Sequence, residues 1–285
     1  MPDFWSHHFA AIEAKKKYEE DGGQALKWPV EFDPLYYFGA QGPDFFYYIN
    51  KFNFFTKKNY KHLGNAIHQN IPVQLFLTLI EQLRLNPSPV NIAYVTGFVS
   101  HYILDVHCHP IICKLGPDSD SHKRVEMDFE ALCLFNYWKR TRESMNTDPL
   151  RCSVERQLDE LTSLWQVSLS SLNLESVTKK ELLSGHHAML KIQSYIKNDT
   201  ITKLPFVGIL GRLVNYDLSL LVFPDIDNTN LLAVQNYNTF IHQYEKSIEA
   251  SAKAYLLLDD ILMHKNSVDA FIKEFVMEDY LGEVL

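Results

Sequence analysis

The sequence lacks the signals that mark several common protein classes. Its 285 residues include only four cysteines, Cys108, Cys113, Cys133 and Cys152, which form no Cys-x-x-Cys pair. With no export signal in the N-terminal residues, we expect reduced thiols rather than a disulfide framework. Glycine and proline are scarce, at 11 and 12 residues, and no low-complexity tract is present. These absences argue against a fibrous or largely disordered chain.

Basic residues are fewer than acidic ones, and long apolar runs are also rare. The chain has 27 basic and 35 acidic residues, a net charge of -8, which argues against tight nucleic-acid binding. The uncharged stretch 86–104 contains two prolines and several polar residues, so its solid apolar part is too short to span a bilayer. We therefore expect a cytoplasmic protein without a transmembrane segment, and peripheral membrane contact and oligomeric state stay open.

Helical periodicity dominates the sequence, whereas strand-like alternation is rare. We predict an all-α fold in a single domain, 1–285, whose metal-binding motifs lie in 1–130. The role of the helices in 150–285 cannot be assigned. The predicted helices lie near 7–21, 71–85, 90–110, 122–145, 153–166, 178–197, 206–221, 230–262 and 266–280.

The most unusual stretch is "GFVSHYILDVHCHP", residues 97–110, which places an aspartate and three histidines among apolar residues. His101, Asp105 and His109 recur at i, i+4 and i+8, so on a helix neighbouring members are about 5–6 Å apart at Cβ. Lys and Arg are absent from 87–113, so a buried Asp105 needs another cation. Pro110 predicts a helix end at His109, which would let that residue reach a different ion.

A second pair repeats this relation on the next predicted helix, where His122 and Glu126 are also four residues apart. A single such pair is more often an ordinary helical side-chain contact than a metal site. Two pairs together favour a shared metal site, and imidazole and carboxylate donors suit zinc. Two ions about 3.5–4 Å apart form a clamp suited to phosphoryl chemistry.

The aromatic stretch "YYFGAQGPDFFYY", residues 36–48, contains a tight turn that presents Asp44. Local signals favour Asp44 as the N-cap of a short helix over a role in chemistry. The aromatic residues are more typical of core packing than of a ligand pocket.

With these motifs, the sequence resembles the zinc-dependent phospholipase C family, in particular its intracellular bacterial branch. The resemblance rests on "PDFWSHH", "FGAQGPDFFYY", "HLGNAIH", "GFVSHYILDVHCHP" and "HKRVE", in the family's order over residues 2–126. It implies an all-α fold that holds zinc. Secreted members bind a third ion through an N-terminal tryptophan, whereas Trp5 here is internal, so two ions are expected.

The resemblance also implies roles for individual residues. His101 and Asp105 would bind one ion with a histidine of "HLGNAIH", for which we choose His68 over His62. A second ion would be bound by His109, His122 and Glu126. Asp44 would contact a metal and act as the catalytic general base, and His7, with His8 as its rival, would match an N-terminal ligand.

These residues lead to two hypotheses. The first is a metal-dependent phosphodiesterase that acts on a phospholipid or related phosphate ester. The second is a non-catalytic protein in which zinc joins the helices. A third class, the helical phosphohydrolases built on a His-Asp dipeptide, is disfavoured because the chain contains no such dipeptide.

Overall fold

The computed structural model describes residues 4–51, 58, 60–70, 72–141, 144–152, 155–196, 224 and 229–283. Within these residues the structure contains no β-strand, and the prediction of an all-α fold is confirmed. The predicted helix 206–221 lies outside the described residues. The α-helices of the described part are α1 (Phe4–Glu20), α2 (Asp33–Gly39), α3 (Lys61–Asn70), α4 (Pro72–Leu85), α5 (Pro89–Leu115), α6 (Ser119–Asn136), α7 (Glu155–Ser171), α8 (Lys179–Ile196), α9 (Leu231–Leu262) and α10 (Val268–Phe275).

Helix α5 lies at the centre of the bundle. It begins after Ser88, whose side chain accepts the Asn91 backbone N–H, and Pro89 occupies the first turn, where its missing N–H costs nothing. Every residue from Val90 to Asp105 is buried, because α1, α2, α6, α7 and α9 all pack against α5. The all-round apolar sequence of α5 therefore reflects burial on every side.

Two glycines allow α2 to approach α5 closely. A Cβ on Gly39 would lie 2.1 Å from the Tyr94 carbonyl oxygen, and one on Gly97 would lie 2.1 Å from the Tyr36 carbonyl oxygen. No side chain fits at either position without moving a backbone. This contact places the turn after α2, and with it Asp44, beside the middle of α5.

The predicted helix end at Pro110 is wrong. Helix α5 continues through Pro110 to Leu115 and ends at Gly116. A proline inside a helix removes one backbone hydrogen bond, but the packing of a long buried helix outweighs that loss. The segment after α10 packs at this point, since a Cβ on Gly282 would lie 2.8 Å from Pro110 Cγ and 2.9 Å from the Val106 carbonyl oxygen.

Several predicted helix boundaries also differ from the structure; α7, for example, ends at Ser171 rather than near 166. Helix α6 begins at Ser119, where Asp118 and Ser121 form a capping box, and it ends at Asn136 rather than near 145. Helix α10 ends at Phe275 rather than near 280, and residues 276–283 continue as irregular chain. A single hydrophobic core includes residues from both halves of the chain, such as Phe45, Phe98, Trp165 and Tyr255.

Candidate metal centre

The structure brings all eight predicted site residues together in three groups of potential ligands. Within each group the ligand atoms lie within 4.8 Å of one another. Five separate elements contribute: α1, the 3-10 helix Gly42–Tyr47, α3, α5 and α6. The groups are His7, His101 and Asp105; Asp44, His68 and His101; and His109, His122 and Glu126.

The first group is built around the fully buried carboxylate of Asp105. Its Oδ1 lies 3.3 Å from His7 Nε2 and its Oδ2 lies 3.3 Å from His101 Nε2. The two imidazole rings are stacked, with centroids 4.2 Å apart. Helix α1 therefore supplies a second imidazole to a carboxylate that α5 places four residues after His101.

The second group contains Asp44, and its structure overturns the local interpretation of that residue. Asp44 lies inside the 3-10 helix Gly42–Tyr47, whose N-cap residue is Gln41, and no side-chain cap bond is formed. The carboxylate is instead buried, with Oδ1 at 3.3 Å from His68 Nε2. The prediction that Asp44 is a helix N-cap is therefore wrong.

Gly42 determines how closely this 3-10 helix approaches α5. Its φ angle is +53°, and a Cβ built on it would lie 2.1 Å from His101 Cδ2. The turn therefore requires glycine both for its backbone conformation and for contact with the imidazole ring.

The histidines that the sequence left as alternatives lie in different environments. His68 faces the centre, whereas the exposed His62 pairs with Glu175 at 3.0 Å. His7 belongs to the first group, whereas the His8 ring packs against Tyr37, with centroids 4.5 Å apart. Because adjacent helical residues point about 100° apart, only one of His7 and His8 can face the centre.

The third group lies farther along α5. His109 follows His101 by eight residues, which on an α-helix is a rise of about 12 Å and a rotation of roughly 80°. This offset directs His109 towards α6, where His122 Nε2 lies 2.9 Å from Glu126 Oε1. Helical phase therefore separates His109 from the first group, although α5 does not end at Pro110.

Backbone carbonyls orient three of these imidazoles. His68 Nδ1 lies 2.7 Å from the Gly64 carbonyl oxygen, and His101 Nδ1 lies 3.3 Å from that of Ala40. His109 Nδ1 contacts the carbonyl oxygen of Tyr280. In the neutral imidazole, Nδ1–H donates a hydrogen bond to such a carbonyl, which leaves the Nε2 lone pair facing the centre, as metal-binding histidines require.

The ligand atoms of the first two groups share one deficit. Each is buried and, among the described residues, meets the other ligand atoms only in imidazole–carboxylate contacts near 3.3 Å that lack hydrogen-bond geometry, although buried polar atoms in folded proteins are nearly always hydrogen-bonded. Imidazole nitrogens and carboxylate oxygens are the donors that zinc takes, most often with four ligands and sometimes with five. The residues present therefore fit zinc. The atoms are His7 Nε2, Asp44 Oδ1, His68 Nε2, His101 Nε2 and both carboxylate oxygens of Asp105.

The pKa values of three ligands, Asp105, His109 and His7, favour the protonation state that binds a metal ion. Burial opposes ionisation of Asp105, but the neighbouring His101 holds its pKa well below the usual value, so it is a carboxylate. Burial lowers the pKa of His109 to about 3, and burial together with His101 lowers that of His7. Both imidazoles are therefore neutral near pH 7, as metal ligands must be.

Two other histidines hold a proton more strongly than an ordinary imidazole does. Burial opposes the charge of His101, but Asp105 raises its pKa above the usual value. Burial likewise opposes protonation of His122, but hydrogen bonds to Cys113 and Glu126 raise its pKa to about 9. A bound dication takes over the neutralisation of these carboxylates, so metal binding releases protons.

A comparison with family models identifies the chain. The model described as zinc-dependent phospholipase C matches residues 6–172, more than half of the sequence. The chain belongs to the zinc-dependent phospholipase C family. All eight candidate ligands of this phospholipase C family member fall within the matched residues. No curated protein and no solved structure matches the chain.

The family assignment confirms two expectations from the sequence, the resemblance itself and the dependence on zinc. Among the described helices, none has the length and apolar character needed to cross a membrane.

One residue at the centre was missed by the sequence analysis. Tyr280 lies beyond the matched range, and its ring packs against His68, with centroids 4.9 Å apart. Burial raises its pKa well above the usual value, and the Asp105 and Asp44 carboxylates act in the same direction, so its hydroxyl keeps its proton. No local motif marks this tyrosine, because its position depends on how the chain returns to α5 after α10.

Proposed function

We propose that the protein is a zinc-dependent phosphodiesterase that hydrolyses a phospholipid or a related phosphate ester. The observation that carries this proposal is the convergence of buried imidazole and carboxylate atoms that form no hydrogen bond of good geometry within the described part of the chain, in a member of this family. His101 belongs to two groups, but its free nitrogen binds one ion. We therefore assign one ion to the first two groups and one to His109, His122 and Glu126.

Beside the metal, the protein's own residues would supply the general base and hold the ligands in position. When bound, zinc supplies a Lewis acid that neutralises charge on phosphate oxygens and lowers the pKa of a water molecule. Asp44 would orient the attacking water and accept its proton, because its carboxylate is buried beside His68. The carbonyls that hold His68, His101 and His109 would keep the ligand geometry fixed.

One observation favours a second candidate, in which zinc joins the helices without turnover. Seven of the eight candidate ligands are buried in the described structure, and only His122 is partly exposed. A structural zinc site is closed in this way, whereas an enzyme must admit its substrate.

Asp44→Asn distinguishes the two candidates. For an enzyme, we expect kcat to fall by roughly 100-fold or more, since a general base contributes about 10² to 10⁴. Zinc content and Tm should change little, because the amide keeps an oxygen ligand. The assay follows hydrolysis of bis(p-nitrophenyl) phosphate and of phosphatidylcholine by the zinc-loaded protein, with His62→Asn as control because His62 lies outside the centre.

Chelation provides the second arm of this test. For an enzyme, a chelator should abolish hydrolysis and stoichiometric zinc should restore it. If neither substrate is turned over, while chelation lowers Tm strongly, the structural role is correct and the proposed activity is rejected.

A further inference from the structure

Tyr280 forms part of the wall of the metal centre, although it is far from the other site residues in sequence. Its ring centroid lies 4.9 Å from that of His68, 6.1 Å from that of His101 and 5.0 Å from that of Tyr102. Its carbonyl oxygen contacts His109 Nδ1. One residue therefore contacts imidazoles from all three ligand groups.

The segment 276–283 holds Tyr280 in this position. The Tyr102 hydroxyl donates to the Glu278 carbonyl oxygen at 2.5 Å. Asp279 Oδ1 accepts the backbone N–H groups of Leu281 at 2.8 Å and Glu283 at 3.0 Å, which closes the turn. Contacts on both sides of Tyr280 therefore fix its backbone.

The hydroxyl of Tyr280 is exceptional among the buried tyrosines of the described structure. The residue is fully buried, and its hydroxyl has no hydrogen-bond partner among the described residues. By contrast, the Tyr94 hydroxyl pairs with Trp165 and that of Tyr255 pairs with Tyr36. Because burying an unpaired hydroxyl is costly, its retention beside the centre indicates a role in binding a ligand.

We propose that the Tyr280 hydroxyl donates a hydrogen bond to a phosphate oxygen of the ligand bound at the metal centre. This inference rests on the proposed function and extends it to a substrate-contacting residue. Asp44 and Asp105 are acceptors, and the imidazoles are assigned to metal, so the centre needs a neutral donor for an anionic oxygen. Tyr280 supplies one from a rigid ring.

The test uses Tyr280→Phe, which removes only the hydroxyl. The probes are inorganic phosphate and dimethyl phosphate, titrated by calorimetry into protein that carries stoichiometric zinc and no free metal. A hydrogen bond to a charged group makes a large enough contribution that both affinities should weaken by roughly 10- to 100-fold. Weakening for inorganic phosphate alone would show that the site takes the free anion and not the diester.

Tyr255→Phe is the matched control, because it removes a buried hydroxyl whose partner is Tyr36. Its affinity for both probes should stay within about twofold of the wild type. Zinc content should be unchanged in both variants. The Tm of zinc-free Tyr280→Phe should equal or exceed that of the wild type, since no protein hydrogen bond is lost.

The possible failures are distinguishable. If the zinc-loaded wild type binds neither probe, the proposed function and this inference both fall. If the wild type binds phosphate and Tyr280→Phe binds it equally well, only this inference is overturned. A clear fall in Tm for zinc-free Tyr280→Phe would also overturn it, because the hydroxyl would then have a partner within the protein.

Discussion

At the scale of single residues, Gly42 shows how a residue without chemistry can decide the geometry of a site. Its positive φ angle turns the chain towards α5, and its missing side chain leaves room for the His101 ring. A Cβ there would push the ring from the position in which it meets Asp44, His68 and Asp105. Backbone strain and steric contact act together at this residue.

Gly42→Ala should therefore lower both zinc content and stability. Gly22→Ala is the matched control, since Gly22 has a φ angle of +91° but no atom within 4 Å of the position that a methyl group would take. We expect Gly22→Ala to cost about 1 kcal/mol from backbone strain alone and to retain zinc. Chemical unfolding and elemental analysis measure both effects, and equal losses in the two variants would contradict the role given to Gly42.

Residue spacing predicted much of the site but not all of it. The two i, i+4 pairs on α5 and α6 lie together as the sequence indicated, because helical periodicity fixes which side chains share a face. Spacing alone could not choose His68 over His62, because both lie on α3 and the sequence does not show which face of that helix is turned towards α5. Local turn signals wrongly favoured Asp44 as a helix N-cap, because such signals cannot show that the residue is buried against α5.

At the scale of elements, α1 places two adjacent histidines in different environments. His7 meets Asp105 on α5, whereas His8 packs among aromatic rings, with its centroid 4.5 Å from Tyr37 and 5.6 Å from Trp5. The helix, rather than the identity of the residues, assigns the different roles. The ends of α5, α6 and α10 were predicted less well, because packing against neighbours overrides local helix signals.

Substitutions on α1 should separate these two roles. His7→Ala should weaken zinc binding by at least roughly tenfold, because it removes a first-group donor. His8→Phe should bind zinc as the wild type does, because phenylalanine preserves the ring contacts. Competition with a chromophoric zinc chelator measures both affinities. A larger loss in His8→Phe than in His7→Ala would reverse the assignment.

At the scale of the whole molecule, burial of neutral histidines makes stability depend on pH. Burial lowers the pKa of both His8 and His186 to about 3, whereas an unfolded histidine titrates near 6.5. Between these values the unfolded chain binds more protons than the folded one. The stability that these histidines contribute is therefore present above about pH 6.5 and is lost as the pH falls.

We expect the unfolding free energy of the zinc-free protein to fall by about 1.4 kcal/mol per pH unit for each such histidine below pH 6.5. Chemical unfolding at pH 7.0 and pH 5.5 measures this slope. For His8→Phe, the slope should be smaller by the contribution of one histidine, about 1.4 kcal/mol per pH unit. Identical slopes in the variant and the wild type would show that His8 takes up a proton in the folded state.

We expect zinc to occupy the space between the buried ligands. Anomalous diffraction from crystals of zinc-loaded protein, recorded on both sides of the zinc absorption edge, tests it most directly. We predict one peak bounded by His7, Asp44, His68, His101 and Asp105, and another bounded by His109, His122 and Glu126. A map without a peak at either position, with these side chains paired to one another or to water, would contradict the account.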